Sequence, residues 1–446
     1  MRRGGGPLPQ PRGRHLDGLP PSLRLRFSGV DHVSRILLPR GTSFLASGGD
    51  QARPFGLSGL SLIPPSPGSQ AAAPIRFLAL CDRGTIFSGA VAFNATSLEL
   101  MGITWRDRWQ LVAGTGDAGF GAAAPGGSLD AEGLTVLPGG SDVLVSTEPG
   151  PVYRLPPLGD WRGQELLAAP LQPLPDYVGR GTLRNQGLES LTALPTAAGV
   201  APIVVTALEG PLAQDAATVR RVFQLDAATG EVQRQAALII PANEPPLLLS
   251  ELLALDSSGL MGGGQFLAME RGWTPRTGNE IHLYLLDAAG ADDVGGCSAI
   301  VEEAPQGSDA ISSSPSNATA SQGRLASCTL AEVSTLRKEL LLRWTPELPL
   351  AGFVPIDNYE GMALVPPSAF GRTSEADLGG IALLLVNDDN DNPAQIGTQF
   401  VLLRLAFAPL TPGPESIAGA ANSREGTPED SGISMAWAIA LCSFFV

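Results

Sequence analysis

The feature that most constrains this chain is a short motif that recurs along it: an acid or a serine, then an apolar run, usually closed by proline. It first reads Ser58-Gly59-Leu60-Ser61-Leu62-Ile63-Pro64 and next Glu132-Gly133-Leu134-Thr135-Val136-Leu137-Pro138. Glu189-Ser190-Leu191-Thr192-Ala193-Leu194-Pro195 and Glu360-Gly361-Met362-Ala363-Leu364-Val365-Pro366 repeat it closely, and Glu251-Leu252-Leu253-Ala254-Leu255-Asp256-Ser257 more loosely. Each run has the length and punctuation of a buried strand that ends in a turn. A second apolar stretch ending in polar or charged residues follows each one, at 77–83, 143–148, 203–209, 266–271 and 381–389. Third strands are legible at 152–155, 219–225, 281–286 and 399–405.

Strand, turn, strand, turn in a repeating unit predicts an all-β chain, a single β-propeller of four-stranded blades. Five repeats are visible, and the long interval from 251 to 360 leaves room for a degenerate sixth. The expectation is therefore five to six blades, with six favoured. Strands near 23–38 are placed to close the ring with the C-terminal strands and so remove free sheet edges. With 54 glycines, 39 prolines and a hydrophobic fraction of 43%, the composition suits short strands, many turns and an ample core. The rival architectures, a long β-sandwich or two unrelated β domains, do not account for one motif spread from 58 to 366.

In a blade, the start of the first strand and the end of the antiparallel second strand lie on the same face. That geometry converts the repeat into a site. Glu132 with Glu148, Glu189 with Glu209, Glu251 with Glu270, and Glu360 with Asp388 and Asp389 are expected to converge on the axial mouth, with Ser58 facing Asp82 and Arg83 in the first unit. Carboxylates so crowded need raised pKa values, donors or cations. Arg83 and Arg271 are the internal partners, and a divalent cation such as calcium is the external one. An acid at a strand start can equally brace neighbouring blades by accepting backbone N–H bonds. The run Asp388-Asp389-Asn390-Asp391-Asn392 lacks the glycine and closing glutamate of an EF-hand, which leaves a simpler calcium loop or a polar turn.

The same residues resemble the phytase-like family, described by an esterase-like activity of phytase. Phe55-Gly56-Leu57-Ser58-Gly59-Leu60, Asp82-Arg83-Gly84, Asp130-Ala131-Glu132-Gly133-Leu134 and Asn185-Gln186-Gly187-Leu188-Glu189 carry the likeness. Met269-Glu270-Arg271, Asn358-Tyr359-Glu360-Gly361 and Asn387-Asp388-Asp389-Asn390 continue it in order. The resemblance spans about residues 55 to 405 and implies hydrolysis of phosphomonoesters or other esters. On that reading Glu132, Glu189, Glu270, Glu360 and Arg271 are the catalytic candidates. Arg83 and Arg271 are to bind the anionic substrate, and Glu148, Glu209, Asp388 and Asp389 are to hold metal. The alternative is a non-catalytic propeller that binds a partner and holds calcium structurally.

Net charge of −15 removes the basic footprint of a nucleic-acid binder and repels an anionic ligand unless a cation or an arginine mediates contact; the partner that the resemblance implies is a small anionic ester, taken by a monomeric chain. Neither a zinc-type His-Glu-x-x-His run nor a Gly-x-Ser-x-Gly elbow occurs, and Gly114-Thr115-Gly116-Asp117-Ala118-Gly119 is followed by a loop where a dinucleotide site needs a helix. Residues 1–26 and an insert at about 290–328 read as disordered or flexible, flanking and interrupting a domain at 27–410. Cys297 and Cys328 bracket that insert, as a disulfide of an oxidising compartment or as two thiols. Within 411–446, small residues at 419–421, a polar spacer and an apolar tail at 433–446 follow the order of a lipid-anchor signal. Together with the sequons at Asn94 and Asn317 this favours secretion or the cell surface, possible only with a leader upstream, over the cytoplasm.

Overall fold

The computed structural model describes residues 27–407 except 64–73, 115–126, 128, 141, 149, 196–199, 243–244, 304–325, 349–355, 390–394 and 396. The expectations for the two termini, for most of the insert and for the calcium loop beyond Asp389 lie outside the described residues. The fold is nearly all β. The strand β1 (Phe27–Pro39) leads to a small hairpin of β2 (Phe44–Leu45) and β3 (Gln51–Ala52). The first antiparallel meander is β4 (Leu57–Leu62), β5 (Ile75–Cys81), β6 (Thr85–Phe93) and β7 (Leu100–Ala113). The second is β8 (Ala131–Val136), β9 (Val143–Thr147), β10 (Tyr153–Arg154) and β11 (Glu165–Pro170). Their outermost strands, β7 and β11, pair in parallel and fuse the two meanders into one sheet.

The third meander is β12 (Leu188–Ala193), β13 (Ile203–Leu208), β14 (Val219–Asp226) and β15 (Val232–Ile239). The fourth begins with β16 (Leu248–Ala254), β17 (Gln265–Thr274) and β18 (Gly278–Asp287). A parallel pair, β19 (Cys297–Val301) and β20 (Ala326–Thr329), then intervenes before β21 (Arg337–Trp344) supplies the outer strand of the fourth sheet. The interval that left room for a sixth unit thus holds this small excursion, joined by a Cys297–Cys328 disulfide with Cα atoms 5.6 Å apart. The fifth meander is β22 (Tyr359–Val365), β23 (Gly380–Asn387) and β24 (Gly397–Phe407), and β1 pairs antiparallel to β24 as its outer strand.

Side chains alternate across each strand, so a strand buried on both faces feeds two cores. On β5, Phe77 and Ala79 pack towards the fifth meander, while Leu78 and Leu80 pack towards the second. On β23, Ala382 and Leu384 face the first meander, and Leu383 and Leu385 face the fourth. Further cores join the second meander to the third and the third to the fourth. Every meander is therefore gripped on both sides, and the cores form a closed cycle. Each large apolar side chain in them contributes about 1.5–3 kcal/mol of burial.

The first strands β4, β8, β12, β16 and β22 contact one another in that same cyclic order. Glycine lets them approach. A Cβ on Gly133 would stand 2.6 Å from the Glu189 carbonyl oxygen, and one on Gly59 would stand 2.8 Å from that of Glu132. Hydroxyls then tie neighbours together. Ser61 accepts from the Val136 N–H at 3.0 Å, Thr135 from Ala193 at 3.1 Å and Thr192 from Ala254 at 3.1 Å. In the fourth and fifth meanders Leu253 and Ala363 fill the hydroxyl position, and the ladder stops there.

Candidate functional site

Each first strand starts with a bulge against its second strand, an extra residue that re-aims a side chain. Register places the bulged residue at Ser58, between Leu57↔Cys81 and Gly59↔Leu80. By the same pairing it is Glu189 in the third meander and Glu360 in the fifth, and Glu132 lies in the corresponding irregularity of the second. In the fourth meander the pairs Leu249↔Glu270 and Glu251↔Met269 put Ser250 there. Reading the second strands in the same register aligns Asp82, Glu148, Glu209, Arg271 and Asp388, each one residue beyond the partner of the residue that precedes the bulge. In four meanders the backbone N–H of that residue donates to the residue just before the first strand: Asp82 to Gly56, Glu148 to Asp130, Glu209 to Gly187 and Asp388 to Asn358.

The fourth repeat therefore departs from the sequence expectation by one residue. A one-residue shift in a strand turns every side chain to the opposite face. Glu251 does not join the mouth. It occupies the position of Gly59, Gly133 and Gly361, wholly buried between first strands, where its carboxylate accepts the N–H of Leu252 at 2.9 Å and those of Leu191 and Met362. Glu270 faces away from the mouth as well, because it precedes Arg271 on one strand and the two side chains point to opposite faces. It pairs with Lys338 of β21, near Arg220, against the ring of Tyr284. The aligning clue was present in the sequence: Leu249-Ser250-Glu251-Leu252 matches Leu57-Ser58-Gly59-Leu60, with serine as the opening residue in both.

What the fold does bring together is Glu132, Glu148, Glu189, Glu209 and Glu360, with Asp82 and Asp388 close by and Arg271 in their midst. Arg271 Nη2 lies 2.9 Å from Glu360 and 3.1 Å from Glu209. Asn358 donates to Glu360 at 2.7 Å. Asp389 accepts the Gly56 N–H at 3.0 Å, which ties the fifth meander to the first. Glu148 accepts the Gly187 N–H and lies beside Glu189. One oxygen each of Glu148, Glu189 and Glu209 lies within 4.8 Å of the others. Arg83 is exposed and stacks over Phe55, 5.1 Å from its ring centre. Asp130, not among the expected site residues, flanks Glu132 and Glu148 electrostatically.

Burial is the first cause of the perturbed acidities. It drives Glu132 and Glu189 well above the usual carboxylate range, and the neighbouring carboxylates push the same way. Glu209 rises to about 7, with Arg271 opposing the burial. Glu148 and Glu360 are raised too, less freely because Gly187 and Arg271 respectively stabilise the anion. For Arg271 burial acts to lower the pKa, but Glu360, Glu209 and Glu189 outweigh it and hold the guanidinium charged. All of the converging donors for a cation are carboxylate oxygens, the ligand set of a hard divalent ion.

Fold and site together define a propeller-like β protein with an acidic mouth built from equivalent positions of successive sheets. The chain belongs to the phytase-like family, described by the esterase-like activity of phytase, whose profile matches residues 55–391. None of the curated proteins matches it. Among solved structures, a Bacteroides uniformis protein provisionally named a 6-phosphogluconolactonase aligns at 10% identity and a TM-score of 0.25, covering 52% of this chain and 69% of that one. The WD40 domain of SCAP from fission yeast aligns at 9% identity and a TM-score of 0.25, covering 78% of this chain and 73% of that one.

Proposed function

We propose that this chain is a five-bladed β-propeller that hydrolyses an ester, foremost a phosphomonoester, at its acidic mouth with the help of a divalent cation. The single observation that carries this reading is the convergence of Glu148, Glu189 and Glu209 oxygens within 4.8 Å, beside a buried arginine. The oxygen-only donor set suits calcium, held by these glutamates with Asp388 and Asp389 at the rim. When bound, such an ion neutralises charge on a phosphoryl oxygen and acidifies a water molecule.

The chain's own groups supply the remainder. Arg271 keeps its charge amid the carboxylates, and among the described residues its Nε has no hydrogen-bond partner, which leaves a donor for an anionic oxygen. Without the ion Glu209 rises to about 7, so proton and cation compete for its oxygens around physiological pH. Glu360 is fixed by Asn358 and Arg271, which orients it towards the substrate bound at the arginine. Glu132 and Glu189 close the inner side of the mouth, where their raised pKa values exclude a full set of negative charges.

Purified protein assayed on a chromogenic phosphomonoester and a carboxyl ester, before and after chelation, tests the reading. Turnover should require the cation. Glu189→Gln removes one of the groups that hold the cation and should lower turnover by orders of magnitude, with little change in melting temperature. Absence of turnover on both substrates, or a loss of folding stability that parallels the loss of activity, would sink the enzymatic reading and leave acids that brace the blades.

A further inference from the structure

The geometry points to Asn94 as the acceptor of an N-linked oligosaccharide, on a chain that folds in an oxidising, secretory compartment. Asn94-Ala95-Thr96 is the tip of the hairpin between β6 and β7, on the outer side of the first meander. The tip is closed by its backbone: Asn94 N–H donates to the Glu99 carbonyl at 2.8 Å, and Leu98 N–H to the Asn94 carbonyl at 2.9 Å. Leu98 adopts a φ of 60°, which turns the chain sharply just before β7 begins.

Within this turn the Asn94 side chain has one orientation. Its Oδ1 accepts the N–H of Thr96 at 2.9 Å and of Ser97 at 3.1 Å. An amide whose oxygen is tied inward carries its nitrogen on the other side, and among the described residues nothing accepts from Nδ2. Thr96 and Ser97 are exposed. Whether sugar is added before or after the chain folds, the folded hairpin must leave its bulk in solvent, and a tip beyond the sheet does so.

The second, independent line is redox. The Cys297–Cys328 disulfide stands on the third meander, not near the hairpin, with its Cα atoms 5.6 Å apart. Its strand is well seated: the buried Arg221 donates to the Cys297 carbonyl at 2.9 Å, and Asp215 accepts the Ile300 N–H at 2.8 Å. Such bonds persist where the surroundings oxidise thiols, and in most cells that is also where sequons are modified. In the transfer, Nδ2 forms a bond to C1 of a sugar carried on a polyprenyl diphosphate. The C1–O bond breaks, the diphosphate leaves with the electron pair, and the amide gives up one proton.

The full chain, placed behind a cleavable secretory leader in cultured eukaryotic cells, gives a direct test. Peptide mass spectrometry after enzymatic deglycosylation in oxygen-18 water should mark Asn94, and the unreduced protein should contain the Cys297–Cys328 peptide pair. Thr96→Ala is the clean variant, because the turn uses only the backbone N–H of residue 96. It should lose one glycan by gel mobility at an unchanged melting temperature, while Asn317→Gln should leave the Asn94 glycan in place. A disulfide-linked protein with unmodified Asn94 would overturn the assignment, and so would folded protein with free Cys297 and Cys328 thiols.

Discussion

The third and fourth meanders occupy equivalent places in the fold and carry opposite chemistry at the mouth. In the third, Glu189 opens the first strand and Glu209 ends the second. In the fourth the same positions hold Ser250 and Arg271. One position deeper the contrast reverses. The third has the small Ser190, whose hydroxyl has no hydrogen-bond partner among the described residues, and the fourth has Glu251 with three backbone donors. The repeat thus fixes where side chains converge, while single substitutions decide whether a position repels, neutralises or braces. Arg271 is the counter-charge that Glu360, Glu209 and Glu189 share, and Arg220 adds a weaker pull on Glu209.

The strongest way to break this contrast is to give the fourth meander a carboxylate. Arg271→Glu removes the partner of Glu209 and Glu360 and adds a further acid beside them. Uncoupling a buried ion pair costs about 3–5 kcal/mol, and the added repulsion increases that. The expected outcome is a large fall in the denaturant midpoint at neutral pH, partly restored by calcium. A near-neutral effect, without cation, would mean that Arg271 does not neutralise the ring.

A smaller effect should separate Glu251 from Ser190. Glu251→Ala strands the N–H groups of Leu191, Leu252 and Met362, and each unsatisfied buried donor costs about 1–3 kcal/mol. Partial rescue by water puts the expected loss at about 2–4 kcal/mol in urea unfolding. Ser190→Ala, at the matching position, removes a hydroxyl without a partner and should shift stability by at most about 0.5 kcal/mol. Similar losses for the two variants would show that the carboxylate is not a brace.

The sequence made the meanders legible because the apolar runs survive in all five units and a closing proline in four of them. It also marked Glu132, Glu148, Glu189, Glu209 and Glu360, since each stands at a strand terminus where the apolar pattern breaks. It misplaced Glu251 and Glu270 because the fourth motif is looser and an acid draws the alignment to itself. The bulge that sets the register leaves no hydrophobic signature, and a slip of one residue passes unnoticed in Leu248-Leu249-Ser250-Glu251-Leu252-Leu253, apolar on both sides. The Lys338 partner of Glu270 was not visible either, for it arrives on β21 from beyond the disulfide-closed excursion. Long-range partners of this kind are set by topology, which local pattern does not encode.

The gentlest test of the contrast is titration, because the acids of the third meander change charge near neutrality while the arginine of the fourth does not. Burial raises Glu209 from 4.5 to about 7, and it moves Glu132 and Glu189 well above the usual carboxylate range. In the unfolded chain these groups return to ordinary acidity, so the folded form binds protons more tightly. The contribution of Glu209 to stability is complete below the unfolded value of 4.5 and is lost as pH rises through about 7, and Glu132 and Glu189 act in the same direction. Chelated protein should therefore melt a few degrees lower at about pH 8 than at about pH 5. Calcium should raise the melting temperature on the alkaline side and do little on the acid side, where protons compete for the same oxygens. Glu209→Gln removes one of the titrating groups and should flatten the slope around neutrality, measured by differential scanning calorimetry across the range. A chelated protein whose melting temperature climbs from the acid to the alkaline side would show that the glutamates of the mouth are ionised without help, and the electrostatic case for a cation there would fail.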